Sequence, residues 1–215
     1  MKHLPIGTRL GLGFGALTLL IVLIAGAVWV QYGQVRDAQA MNMHSFEVIE
    51  ELEKQMIALV NIETSQRGYL LTGEASHLEP YKKGREAFLR RNDRLEEMTA
   101  DNPRQLERLA ALETRYHRWI DETMQPAIDR RREAGDISID VRRQVQALMA
   151  EAKTHMDAMR EIDHAMIDEE HALLEAREAR LEVVDSRMRG ELVFGSLIAI
   201  VMAILAGLFI TRSVV

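Results

Sequence analysis

The sequence predicts an all-α protein, an up-down-up-down bundle of four helices between two transmembrane helices. Three observations predict this class. Apolar residues recur every three or four positions over most of the chain, as amphipathic helices require. Two long segments carry no charged residue. Turn-forming residues divide the sequence between those segments into four parts.

The two uncharged segments have the length of membrane spans. The first runs from Leu10 to Gln34 and the second from Leu192 to Thr211. A helix needs about 20 apolar residues to cross a hydrocarbon core roughly 30 Å thick, and both segments meet that requirement. We therefore divide the chain into five parts: an N-terminus (1–9), a first span (10–34), an external domain (35–191), a second span (192–211) and a C-terminal tail (212–215).

Each uncharged segment has an alternative interpretation. The first follows Lys2 and Arg9 and contains Ala25-Gly26-Ala27, which are features of a cleaved signal peptide, although it exceeds the usual apolar length of about 7–15 residues. The second also fits a buried helix of a soluble protein, but the rest of the chain has too few apolar residues to surround such a helix.

The charges set the expected orientation. Lys2 and Arg9 precede the first span, Arg212 follows the second, and neither end carries an acid. The external domain therefore holds 24 basic and 33 acidic residues, a net charge of −9. The positive-inside rule predicts a two-pass protein of the inner (plasma) membrane with both termini in the cytoplasm. The acidic external domain argues against nucleic acid as a partner.

Helix breaks in the external domain come from local chemistry. The first helix is predicted to end at Thr72-Gly73, and Ser76 with Glu79 forms a capping-box pattern for the second. The other expected breaks are Asp101-Asn102-Pro103, a kink at Pro126 and an end at Gly135-Asp136. The predicted core stripe of the first helix is Phe46, Ile49, Leu52, Met56, Leu59, Glu63, Gln66 and Leu70.

The fourth helix is expected to continue into the second span, and its external part of roughly 53 residues exceeds the roughly 37 of the first helix. At 1.5 Å per residue the mismatch is about 24 Å. Small residues recur every fourth position in both spans, which favours close helix contact. They are Gly7, Gly11 and Gly15 in the first span, and Gly195, Ala199, Ala203 and Gly207 in the second.

Residues 63–73, with the sequence ETSQRGYLLTG, hold the candidate ligand or signalling residues. Glu63 and Arg67 are spaced for an ion pair on one helix face, and Glu63 lies on the apolar stripe, where a charge must be paired. Gly68 costs a helix up to about 1 kcal/mol, so it indicates close packing. The candidates are Glu63, Thr64, Gln66, Arg67, Gly68 and Tyr69. The alternative is that they only lock the first helix to its neighbours.

This segment, with the following His77-Leu78-Glu79-Pro80-Tyr81, resembles the signature of the CHASE3 domain, an extracytoplasmic four-helix sensor of bacterial transmembrane receptors. The matching residues are Glu63, Thr64, Arg67, Gly68, Tyr69, Leu70, Leu71, Thr72 and Gly73. The resemblance extends over about 36–191. It implies the input module of a methyl-accepting chemotaxis protein or sensor histidine kinase, a homodimer that answers a small-molecule or protein signal. Residues 210–215 look like the lead into a HAMP domain, as in a trimmed receptor.

The sequence is also compatible with two other functions. One is a two-span structural protein whose bundle binds another protein. The other is a metal-binding sensor that uses His164, Asp168 and His171, which share one helix face with Glu175; the alternative is a solvated polar face. The sequence has no P-loop, GxGxxG, nucleophile elbow or HExxH motif. We therefore expect no catalytic residue, no enzymatic activity and no cofactor.

Overall fold

The computed structural model describes residues 5–134 and 139–214, which form helices and short connections with no strand among them. The helices are α1 (Ile6–Thr72), α2 (Leu78–Met98), α3 (Pro103–Arg118), α4 (Gln125–Ala134) and α5 (Ile139–Val214). A 3₁₀ turn (Ala75–His77) precedes α2, and a π turn (Trp119–Met124) joins α3 to α4. Since α3, the π turn and α4 form one helical run, the predicted all-α four-helix bundle is confirmed.

The chain folds as two compact units. One is His44–Leu173, which contains the helical bundle. The other is Met1–Met43 with Leu174–Val215, which contains the two uncharged segments. The positions of Lys2, Val215 and the expected break at Gly135-Asp136 lie outside the described residues.

The buried stripe of α1 agrees with the predicted one at Leu52, Leu59, Gln66 and Leu70 and departs from it at the other four positions, Phe46, Ile49, Met56 and Glu63, which are exposed or half-buried. Its buried positions alternate in steps of three and four, as in a coiled-coil seam. They include Ser45, Val48, Leu52, Gln55, Leu59, Ile62, Gln66 and Tyr69, and Ala58, Ser65 and Leu70 are buried beside them. The prediction that Phe46 belongs to the core is wrong, because its side chain is 54% exposed. The error arose because polar Ser45 and Gln55 occupy core positions beside apolar residues that are exposed or half-buried.

Buried polar residues tie the helices of the bundle together. Glu170 of α5 is buried and accepts hydrogen bonds from Ser45 Oγ at 2.7 Å and from Gln105 Nε2 at 3.0 Å. Gln55 of α1 donates to Asn92 Oδ1 of α2 at 3.1 Å, and both side chains are buried. These bonds offset the cost of removing the polar groups from water and fix which residues face each other.

The bond between Ser45 and Glu170 also accounts for most of the expected length mismatch. From this bond, α1 runs 28 residues to Thr72, and α5 runs back 32 residues to Ile139. The difference of 4 residues corresponds to about 6 Å at 1.5 Å per residue. The larger estimate counted both helices from the ends of the uncharged segments, at Arg36 and Glu191, whereas this count starts from a contact inside the bundle.

The predicted end of α1 at Thr72-Gly73 and the predicted start of α3 at Pro103 are confirmed, whereas the predicted capping box of the second helix is wrong. Pro103 is the first residue of α3, and the Asn102 side chain caps that helix by accepting from the amides of Arg104 and Gln105. The Ser76 capping box is wrong, because α2 begins after the 3₁₀ turn and neither the turn nor α2 has a side-chain cap. The Thr72 hydroxyl instead accepts a hydrogen bond from the Glu74 amide at 3.1 Å.

The irregularity expected at Pro126 lies just before the proline. The π turn Trp119–Met124 ends two residues before Pro126, and the Gln125 amide bonds to the carbonyl of Ile120, five residues back. A proline inside a helix removes one amide donor and crowds the preceding turn. The wider turn accommodates this defect and places Trp119, Thr123 and Met124 in the core.

In the other unit, two helices are long and apolar enough to cross a membrane by length and composition. Only 6% of the apolar window in α5 is buried, which disfavours a buried core helix there. A Cβ on Gly195 would lie 2.6 Å from Ile24 Cδ1, and one on Gly13 would lie 3.7 Å from Ala206 Cβ. Gly195 therefore packs against α1, whereas the predicted ridge at Gly7, Gly11 and Gly15 has open space around it.

Candidate functional site

Residues 63–73 form the last three turns of α1, and they end the helix as predicted. Gly73 has a φ of +76°, a left-handed conformation that glycine adopts without a steric penalty. Its amide donates to the Tyr69 carbonyl at 2.8 Å. A Cβ at Gly73 would also lie 2.5 Å from Arg131 Nη2, so the Arg131 side chain of α4 packs against this turn. The Arg131 Nε donates to the Leu70 carbonyl at 3.3 Å.

Gly68 allows the chain to fold back closely after α1. A Cβ at this position would lie 2.6 Å from Nδ1 of His77, which belongs to the 3₁₀ turn. No real Cβ tolerates such a distance, so the ring must move if Gly68 is replaced. The close packing that the sequence predicted for Gly68 is thus present, and its partner is a histidine that the sequence did not identify.

The inward face of this segment contacts the π turn. Gln66 is buried, and its Nε2 donates to the Met124 carbonyl at 3.0 Å. The Tyr69 ring is buried in the core beside it, whereas Thr64 is exposed. Among the described residues, no hydrogen bond joins Tyr69 to Glu63 or Gln66. Gln66 is therefore the residue of the segment that links α1 to the irregular third helix.

Glu63 lies at the edge of the bundle between two cations. Its carboxylate is 3.7 Å from Arg67 Nη1 on the same helix and 3.9 Å from Arg160 Nη2 on α5. The pairing that the sequence predicted for Glu63 and Arg67 is present, and Arg160 adds a second helix to it. Ion pairs at such distances and exposures contribute only about 0–1 kcal/mol, so Glu63 is held loosely.

These residues line a groove between α1 and α5, which we call the α1–α5 groove. Its volume is about 410 Å³, and its lining residues are Glu63, Gln66, Arg67, Met149, Ala150, Ala152, Lys153, Met156 and Arg160. Three cations and one carboxylate face a floor of apolar side chains. Asp157 pairs with both Lys153 and Arg160, which leaves the groove with a small cationic excess. Such a lining suits a small ligand with an anionic group.

A second groove of about 450 Å³ adjoins the first and shares Met149 with it. It is more apolar, and its other lining residues are Leu70, Leu71, Arg131, Arg142, Val145 and Gln146.

Of the six candidate residues, Glu63, Gln66 and Arg67 line the α1–α5 groove. Gly68 and Tyr69 serve packing, and Thr64 faces outward.

The predicted metal residues lie on the outer surface of α5. His164, Asp168 and His171 are all exposed, and the structure does not bring three ligand atoms of this set together. The two helix turns that separate His164 from His171 account for this. Within the described residues, a different group of three converges, formed by Glu122, Glu151 and His155. This group could not be predicted from residue spacing, because Glu122 is 29 residues from Glu151 along the chain.

Two buried side chains, Asp163 and Tyr81, have pKa values raised by burial. Asp163 of α5 is 2% exposed, and burial raises the pKa of its carboxyl to about 6; nearby Glu53 raises it further, and His164 opposes the shift. Its Oδ1 has no hydrogen-bond partner among the described residues. Burial likewise raises the pKa of Tyr81 to about 12. Asp163 is thus a buried acid that the fold tolerates without pairing it.

The comparisons with known proteins agree with this architecture. The family model of the CHASE3 domain matches residues 38–180, which is most of the chain. No curated protein and no solved structure gave a significant match. The matched range covers the whole helical bundle, and it lies between the two apolar segments. The chain therefore belongs to the CHASE3 domain family, the extracytoplasmic sensor domains of bacterial receptors.

Proposed function

We propose that the chain is the sensory input module of a transmembrane signalling receptor of the chemotaxis or two-component type. The observation that carries the proposal is the CHASE3 match over 38–180, flanked by two helices that are apolar enough to span a membrane. In this proposal both termini are cytoplasmic, the module works as a homodimer, and catalysis belongs to an output part outside this chain.

The proposed signal is a change in helix packing at the α1–α5 groove. Both walls of the groove belong to helices that also contain the apolar segments, since α1 is Ile6–Thr72 and α5 is Ile139–Val214. A small molecule or a partner protein that binds one packing better than another shifts the population towards it. Glu63 and Gln66 are the residues we assign to keeping the two packings close in energy. Their bonds reach α5 and the π turn.

The double variant Glu63→Leu with Gln66→Leu is expected to bias the output of a receptor. The change removes the loose ion pairs and the bond to the Met124 carbonyl, and a bias of about 1.4 kcal/mol alters the ratio of two states about tenfold. The measurement is basal kinase activity of the chain fused to a HAMP and kinase output. Thr64→Ala is the matched control, because Thr64 is exposed on the same helix. Unchanged output in a folded double variant contradicts the assignment.

The homodimer can be tested by cysteine cross-linking in membranes. The chain has no cysteine, so each introduced thiol reports one position. We expect Gly11→Cys to form disulfide-linked dimers on oxidation, because Gly11 faces open space, and a thiol pair closes only when two Cα atoms approach to about 4.4–6.8 Å. Gly13→Cys is the control, because Gly13 faces Ala206 of its own chain. Equal yields, or no dimer with Gly11→Cys, would contradict a dimer that packs through this face.

A further inference from the structure

A cluster of metal-ligating side chains lies on the side of α5 that faces away from the α1–α5 groove. Carboxylate oxygens of Glu122 and Glu151 and a ring nitrogen of His155 all lie within 4.8 Å of one another. Glu151 and His155 are one turn apart on α5, so their side chains project from the same face. Glu122 comes from the π turn. Short π segments occur frequently at functional sites.

The two carboxylates of the cluster lack a cationic partner among the described residues. Two carboxylates lie close together, and within the described residues neither makes a salt bridge to a lysine or an arginine. The Nδ1 atom of His155 is buried and has no hydrogen-bond partner among the described residues. A cation between the three side chains would neutralise the carboxylates. The unpartnered ring nitrogen is a separate sign that His155 lacks a ligand or partner.

We propose that Glu122, Glu151 and His155 form a binding site for a divalent transition metal such as Zn²⁺. An imidazole with two carboxylates suits zinc, whereas calcium and magnesium prefer sites made of oxygen alone. Metal–ligand bonds of roughly 2.0–2.2 Å place the ligand atoms about 3.3 Å apart, so the side chains must close by at most about 1.5 Å. Both glutamates are exposed and free to do so. Three protein ligands leave one tetrahedral position for water.

A bound metal would join α5 to the π turn by a direct bond on each side. In the metal-free cluster, these two elements meet there through carboxylates that repel each other. The site would thus connect α5 to the π turn between α3 and α4. It is distinct from the α1–α5 groove, because Glu151 and His155 lie on the opposite side of the buried stripe from Lys153 and Arg160.

The test is Zn²⁺ binding by the full chain in detergent micelles at pH 7.5, by titration calorimetry and thermal unfolding. We expect one Zn²⁺ per chain and a higher unfolding midpoint, neither of which Ca²⁺ produces. His155→Ala and Glu122→Gln should each weaken binding by at least about tenfold, the loss seen when even an outer-shell partner of a metal is removed. Glu122 is exposed, so Glu122→Gln retains the fold.

The matched control is His164→Ala, an exposed histidine on the same helix that belongs to the other predicted ligand set. Its Zn²⁺ affinity should equal that of the unaltered chain. The proposal is overturned if His155→Ala and Glu122→Gln bind Zn²⁺ normally, or if the affinity is lost in His164→Ala instead. The readout is binding and thermal stability, so the result does not depend on the proposed signalling role.

Discussion

Trp119→Ala is expected to destabilise the bundle by about 3–5 kcal/mol, the range for removal of a fully buried large side chain. Trp119 is 0% exposed and begins the π turn. Its removal leaves a cavity in the main core of the bundle, which the surrounding side chains fill only in part. The measurement is the free energy of unfolding of the full chain in micelles, followed by circular dichroism in denaturant.

Trp119→Phe is the matched control. It keeps most of the buried ring and removes an indole Nε1 that has no partner among the described residues. Because no hydrogen bond is lost and only part of the ring volume is removed, its cost should stay well below that of Trp119→Ala, at about 1–2 kcal/mol. If both variants destabilise equally, the filled volume at Trp119 is not what stabilises the turn.

The contribution of Asp163 to the stability of the bundle is expected to fall as the pH rises from about 4 to about 6, because its carboxyl stays protonated in the folded chain while it ionises in the unfolded chain. Its pKa is about 6 in the folded chain, against an ordinary value of 3.8. In that window the folded state holds more protons than the unfolded state, so each rise in pH favours unfolding. A shift of this size corresponds to about 2–3 kcal/mol, all of it lost above pH 6.

Asp163→Asn should abolish this contribution, because the amide stays neutral at every pH. We therefore expect the variant to be more stable than the unaltered chain at pH 7.5 and similar to it at pH 4. Thermal unfolding across this pH range measures both. Asp157→Asn serves as the control, since Asp157 is exposed and its hydrogen bond to Lys153 lowers its pKa. A variant at Asp163 that keeps the same slope between pH 4 and 6 would contradict the assignment.

The local features of the fold could be predicted from the sequence because local chemistry determines them. Gly73 ends α1 since only glycine adopts its left-handed backbone readily, and Pro103 starts α3 since it lacks an amide hydrogen. Gly68 indicated close packing for a steric reason. Glycine lowers helix stability, so it fits a helix position where a neighbouring group leaves no room for a side chain. The family signature lies in this segment, so the resemblance also rested on it.

The core and the clusters could not be predicted in the same way. Apolar periodicity assigns hydrophobic residues to the core, so it favoured Phe46 over Ser45, whose hydroxyl is buried because Glu170 accepts its hydrogen bond. The partner is 125 residues away along the chain. Likewise, the sequence does not indicate His155 as a ligand, because Glu122 beside it comes from a π turn in another helical run. Such pairings depend on the register between helices, which no single helix encodes.

The buried hydrogen bonds of Glu170 restrict how α5 can move along α1 within the bundle. A slide of one helical turn, about 5.4 Å, would carry the carboxylate away from both Ser45 and Gln105. A buried charge without partners costs several kcal/mol, so a full step along the axis is blocked. The bonds of Glu170 thus hold α5 in one axial register against α1 and α3.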